Sequence, residues 1–127
     1  MKSLLLAATL GCMTCLAHAA QPANPTPPAV AAKVALRGEP YGVRVAEMRI
    51  VRKNDILTVQ ADLENTVRAN RTVFYRFRWL DDMGNQVGDG ESWKQMGLYG
   101  LQLQTVKSVA PNSSATDLKL EMNVEQK

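Results

Sequence analysis

Cysteine and histidine are nearly absent from this chain. It has two Cys and one His in 127 residues, and all three, Cys12, Cys15 and His18, stand near its start. From residue 19 onward neither type occurs. That excludes from the remainder a Cys or Ser-His nucleophile system, a zinc site built on Cys or His, and a structural disulfide. An excess of charge of one sign is also missing: 15 Lys and Arg face 12 Asp and Glu. The basic runs Arg49-Ile-Val-Arg-Lys53 and Arg68-Ala-Asn-Arg71 have acids nearby and read as solvated strand ends, so no nucleic-acid partner is expected. No segment holds a sustained helical repeat, and the one long apolar run, from Leu4 to about Leu16, is too short to span a bilayer comfortably.

That run is informative in its setting. MKSLLLAATLGCMTCLAHAA has one Lys, an apolar stretch and then small residues at Ala17 and Ala19, the layout of a secretory signal peptide. Residues 1–19 are therefore expected to be removed between Ala19 and Ala20. The mature chain would have 108 residues (127 minus 19) and a net charge of +2, from 14 basic residues (15 minus Lys2) against 12 acidic ones. Gly11-Cys12 offers an alternative, a lipoprotein junction with Cys12 as lipid anchor. Thr9 stands there in place of the Leu usual three positions before the acylated Cys, so clean cleavage is the expectation.

Five of the six prolines, at 22, 25, 27, 28 and 40, fall in residues 20–40, among Ala and Asn with few large apolar side chains. This composition reads as a Pro/Ala-rich flexible linker, with little buried surface to offset the entropy of ordering. From Tyr41 the pattern has a period of two. Leu57, Val59, Ala61 and Leu63 alternate with Thr58, Gln60, Asp62 and Glu64; Leu118, Leu120, Met122 and Val124 alternate with Asp117, Lys119, Glu121 and Asn123. Each is a strand with one wet face. Val43 to Val51 is a further strand, joined to Ile56–Asn65 by the turn Lys53-Asn-Asp55; others are expected at Thr72–Leu80, around Gln86–Trp93 and at Leu101–Val109. Residues 41–127 are thus expected to form one all-β domain, a small antiparallel immunoglobulin-like β-sandwich of six to seven strands.

The densest stretch is YRFRWLDDMGNQV, Tyr75 to Val87. On a strand Tyr75, Phe77 and Trp79 share one face, and Phe74, Arg76, Arg78 and Leu80 the other. The ring face is the expected core face, since burying three rings stabilises by on the order of 5 kcal/mol at about 25 cal/mol per Å². Asp81-Asp-Met-Gly84 suits a type I turn with Gly at positive φ. Arg76 and Arg78 would lie outward, paired with Asp62 or Glu64 across the sheet, and are the candidate partner-binding surface. The spacing of Asp81, Asp82, Asp89 and Glu91 does not match a calcium loop, so no metal or other cofactor is expected.

YRFRWLDDMGNQV, with Trp93, LQLQTV and SVAPNSSATDLKLEM after it, resembles the YcfL-like family of small periplasmic lipoproteins of Gram-negative bacteria. That family pairs a Tyr-Arg-Phe-x-Trp-x-Asp-x-x-Gly strand and turn with a later Ala-Pro segment before its last strand. The resemblance covers roughly Val43 to Val124. It implies a compact β-sandwich on the periplasmic side of the envelope and leaves the activity undefined. The sequence-level expectation is a non-catalytic exported envelope protein, a binding or accessory module whose partner is a protein or cell-wall component, meeting a membrane only if lipidated at Cys12. The alternative is a carboxylate-based hydrolase acting on cell-wall material.

Overall fold

The structure is a computed structural model that describes residues 26–126. The expected signal peptide, the Ala19/Ala20 junction and Cys12 lie outside the described residues. One helical turn, α1 (Pro28–Ala31), precedes seven strands: β1 (Val34–Arg37), β2 (Val43–Lys53), β3 (Ile56–Asn65), β4 (Arg71–Leu80), β5 (Lys94–Leu98), β6 (Leu103–Val109) and β7 (Asp117–Glu125). They form two sheets, ordered β1-β7-β4-β5 and β2-β3-β6. The protein is an all-β sandwich, as the alternation of side chains requires: apolar positions turn to the facing sheet and polar positions to water.

The core lies between the sheets. Leu57, Val59, Ala61 and Leu63 of β3 face Val73, Phe77 and Trp79 of β4 and Leu118, Leu120, Met122 and Val124 of β7, and all are buried. Tyr75 packs at the rim of this core, half-buried, with its ring edge-on to Phe77 at 6.4 Å. β2 and β3 close in a two-residue hairpin in which Asn54 (φ 51°) and Asp55 (φ 65°) take the left-handed conformation that matches strand twist.

The chain changes sheet after β3, and one buried side chain holds that crossing. Asn65 donates through Nδ2 to the carbonyls of Ala69, Leu98 and Tyr99, and its Oδ1 accepts from Val67 N at 3.1 Å. Gly100 lies against the same loop so closely that a Cβ there would stand 2.0 Å from Arg68 O.

Three expectations are corrected. The strand sought at Gln86–Trp93 is a loop with a single bridge, Leu80 to Gln86, and the strand proper is Lys94–Leu98. Gly88 (φ 77°) and Gly90 (φ 84°) bend the chain away from β4 before it returns. The expectation of a flexible linker through residue 40 is not met over the described part. Val34–Arg37 pairs parallel with β7, Val34 beside Leu120 and Leu36 beside Met122, so this short segment is ordered by strand pairing, with Val34 half-buried against the core. Finally, Arg76 and Arg78 do not meet Asp62 or Glu64. β3 and β4 are neighbours in sequence but belong to different sheets, and Asp62 instead pairs with Arg49 at 2.9 Å.

Candidate functional site

The outer face of the four-stranded sheet gathers charge at its centre. Glu121 sits on β7 directly opposite Arg76 of β4 and beside Ala35 of β1. Ala35 has only a methyl group, and Arg37, two residues further on the same face, reaches back. Glu121 Oε2 therefore accepts from Arg37 Nη2 at 3.0 Å, Arg76 Nε at 3.2 Å and Arg76 Nη2 at 3.0 Å. Arg78 Nη1 stands 3.5 Å from Oε1, an ion pair without hydrogen-bond geometry. Three guanidinium groups surround one carboxylate.

The Glu121 side chain is only 4% exposed, whereas those of Arg37, Arg76 and Arg78 are 60%, 31% and 48% exposed. Burial acts to raise the Glu121 carboxyl pKa. The hydrogen bond from Arg76 and the charges of Arg76, Arg37 and Arg78 outweigh it and hold the group below its ordinary 4.5. Glu121 is thus an ionised, desolvated anchor that fixes the arginines, and the solvent side of the cluster is left positive.

Trp93 completes the arrangement. It enters the sheet one residue before β5 begins opposite Tyr75, which puts its indole beside Arg76. The Arg76 guanidinium lies 4.5 Å and that of Arg37 5.4 Å from the ring centroid, both within cation–π range. Next to it is a shallow cleft of about 330 Å³ lined by Arg37, Phe74, Trp93, Asn123 and Glu125.

Arg76 and Arg78 are therefore on the outer face, as their alternation with the core rings indicates. The residues that make a cluster of them, Glu121, Arg37 and Trp93, were not singled out. Glu121 carried a readable signal in its wet-face position on the last strand, but its opposition to Arg76 depends on which strands pair. Arg37 was hidden in a stretch whose composition suggested a linker.

Of the four acids whose spacing was compared with a calcium loop, Asp81 and Glu91 hold the local backbone and side chains. Asp81 Oδ1 accepts from Met83 N and Asn85 N, and Gly84 (φ 82°) donates to Asp81 O at 3.1 Å, which is the expected turn. Glu91 closes the flank where β5 leaves β4: it accepts from Phe77 N at 3.2 Å, from Trp79 Nε1 at 3.3 Å and from Ser108 Oγ across the sandwich. Among the described residues no group of three or more acidic, His or Cys side chains converges to hold a metal. Asp62, hydrogen-bonded by Arg49 and Thr105, and Asp117, hydrogen-bonded by Lys33, are both held below their ordinary 3.8. A general acid needs a shift in the opposite direction.

Two solved structures share this fold. A Campylobacter jejuni protein, cj0090, is 20% identical with a TM-score of 0.61, over 73% of this chain and 98% of its own. A DUF1425 family member from Shewanella sp. pv-4 is 26% identical with a TM-score of 0.58, over 63% of this chain and 75% of its own. No curated protein matches. The family described as protein of unknown function, DUF1425, matches residues 24–124, nearly the whole of the sandwich and the segment before it, and the chain belongs to that family.

Proposed function

We propose that this protein is a non-catalytic, exported binding module of the cell envelope that engages its partner through the outer face of the four-stranded sheet. The observation that carries the reading is the cluster of Arg37, Arg76 and Arg78 over one buried carboxylate, Glu121, with Trp93 beside it. A scaffold that only needed to fold would gain little from exposed guanidinium groups, whose ion pairs typically contribute about 0–1 kcal/mol. Here they are held in place by a desolvated anchor and present donors to solvent, an arrangement suited to recognition.

Export is supported by the opening twenty residues and by the resemblance to the YcfL-like periplasmic family. Its expected product begins at Ala20. Intact-mass measurement of the protein from envelope fractions checks this, and a diacylglycerol-modified Cys12 would replace clean secretion with a lipid anchor.

For the binding face, the double variant Arg37→Gln, Arg78→Gln removes the two most exposed guanidinium groups and leaves Arg76 on Glu121. It is expected to stay folded, melting somewhat lower because Glu121 loses two of its three cations, and to lose retention on isolated envelope material. Retention equal to the parent's would assign binding to another surface.

A further inference from the structure

The chemistry beside the arginine cluster is not that of a general anion site. The cleft runs from Arg37 past Phe74 and Trp93 to Asn123 and Glu125. One end donates hydrogen bonds and carries positive charge, the middle is aromatic, and the other end accepts hydrogen bonds and carries negative charge. A ligand that matches all three has an anionic group, an apolar face and hydroxyl or amide donors.

We propose that this cleft is a subsite for an acidic sugar, a pyranose carrying a carboxylate. The proposal rests on the binding face described above and adds the class of ligand. The carboxylate meets Arg37 at the basic end of the cleft, where a planar guanidinium suits a planar carboxylate. The C–H face of the ring lies against the aromatic surface of Phe74 and Trp93, and hydroxyl groups donate to Glu125 and to the Asn123 amide oxygen. About 330 Å³ lies at the lower end of the size range of small-ligand sites, right for a single ring unit of a longer glycan rather than an enclosed large ligand. A lipid headgroup surface fits less well, because a flat bilayer would leave the aromatic middle of the cleft without a partner. A peptide strand would add at a sheet edge by main-chain hydrogen bonds, whereas this cleft lies on a face.

The test uses the full chain and four probes followed by calorimetry: an oligogalacturonate, its methyl ester, inorganic phosphate, and phosphatidylglycerol vesicles. Saturable binding of the oligogalacturonate that weakens as salt rises, with the ester at least about tenfold weaker, is the expected result. Arg37→Gln alone, a change at a 60% exposed side chain, should weaken the oligogalacturonate about tenfold while the domain stays folded by circular dichroism, and Glu125→Ala should weaken both acid and ester. Equal binding of acid and ester, or no binding of either, overturns the proposal. Phosphate binding as tightly as the sugar acid would make this a bare oxyanion site, and vesicles binding more tightly would make it a lipid surface; either result overturns it too. Failure here with retention on envelope material still dependent on Arg37 and Arg78 removes the sugar and leaves the binding module standing, whereas arginine-independent retention removes both.

Discussion

Trp79 shows what a single side chain contributes to this protein. It is 3% exposed, packed between the sheets, and its indole N–H ends on the Glu91 carboxylate. Trp79→Ala both empties that volume and leaves Glu91 short of a donor, so a loss of roughly 3–5 kcal/mol is expected in chemical denaturation, enough to unfold many domains of this size. Wild-type-like melting would mean that the rings are not the core face. Glu91→Ala tests the other partner: the Phe77 amide, Trp79 Nε1 and Ser108 hydroxyl all lose their acceptor, and about 2 kcal/mol should disappear, since hydrogen bonds to charged groups contribute about 1.5–3 kcal/mol. A Glu91→Ala variant as stable as the parent would show that water replaces the carboxylate at no cost.

Among the elements, β1 is the one whose role is most exposed to test. It is four residues long and pairs only with β7, yet it delivers Arg37 to Glu121, and Lys33 just before it donates to Asp117 at 2.6 Å. Leu120 N donates to Lys33 O at 2.7 Å. Val34→Lys places a charge beside Leu120 and should release β1, so that the Leu120 amide exchanges with solvent faster while the β7 amides bonded to β4 stay protected. Unchanged exchange at Leu120 would show that the pairing does not need Val34. The same element marks the limit of what could be read in advance. β3 and β7 are legible through strict alternation and β4 through rings and arginines on opposite faces, while β2 is less regular but rich in β-branched residues, with the Asn54-Asp55 and Asp81-to-Gly84 turns between or after them. β1 had four residues among prolines, and β5 lay beyond two glycines, so neither offered a period to detect. The arginines of the candidate site were visible as outward positions on β4. Their convergence on Glu121 was not, because it depends on β4 leaving the sheet of β3 to pair with β7, a long-range choice made by packing and by the Asn65 crossing.

At the scale of the whole molecule the acids set the response to pH. Asp62, Asp117 and Glu121 all lie below their ordinary values of 3.8, 3.8 and 4.5. A carboxyl whose folded value is depressed binds its proton more readily when unfolded, so the stability it contributes is complete above the ordinary value and is lost as pH falls through the folded one. The domain should therefore melt at steadily lower temperature as pH is taken below about 4.5, and Glu121→Gln should be less stable at neutral pH yet show a shallower decline. Melting temperatures from pH 7 down to pH 3 check both statements, and a domain that gained stability on acidification would contradict them. The parallel pairing of β1 with β7 has a consequence of another kind. Because the two strands run the same way, the start of β1 and the finish of β7 lie at opposite ends of their shared ladder, which joins Val34 to Leu120 at one end and Arg37 to Asn123 at the other. Tension applied between residue 26 and residue 126 loads that ladder in shear, straining its rungs together with the Lys33–Asp117 and Arg37–Glu121 links instead of unzipping them one at a time. A domain tugged along its own chain would yield at that seam as a unit, and the arginine face would come apart in the same event.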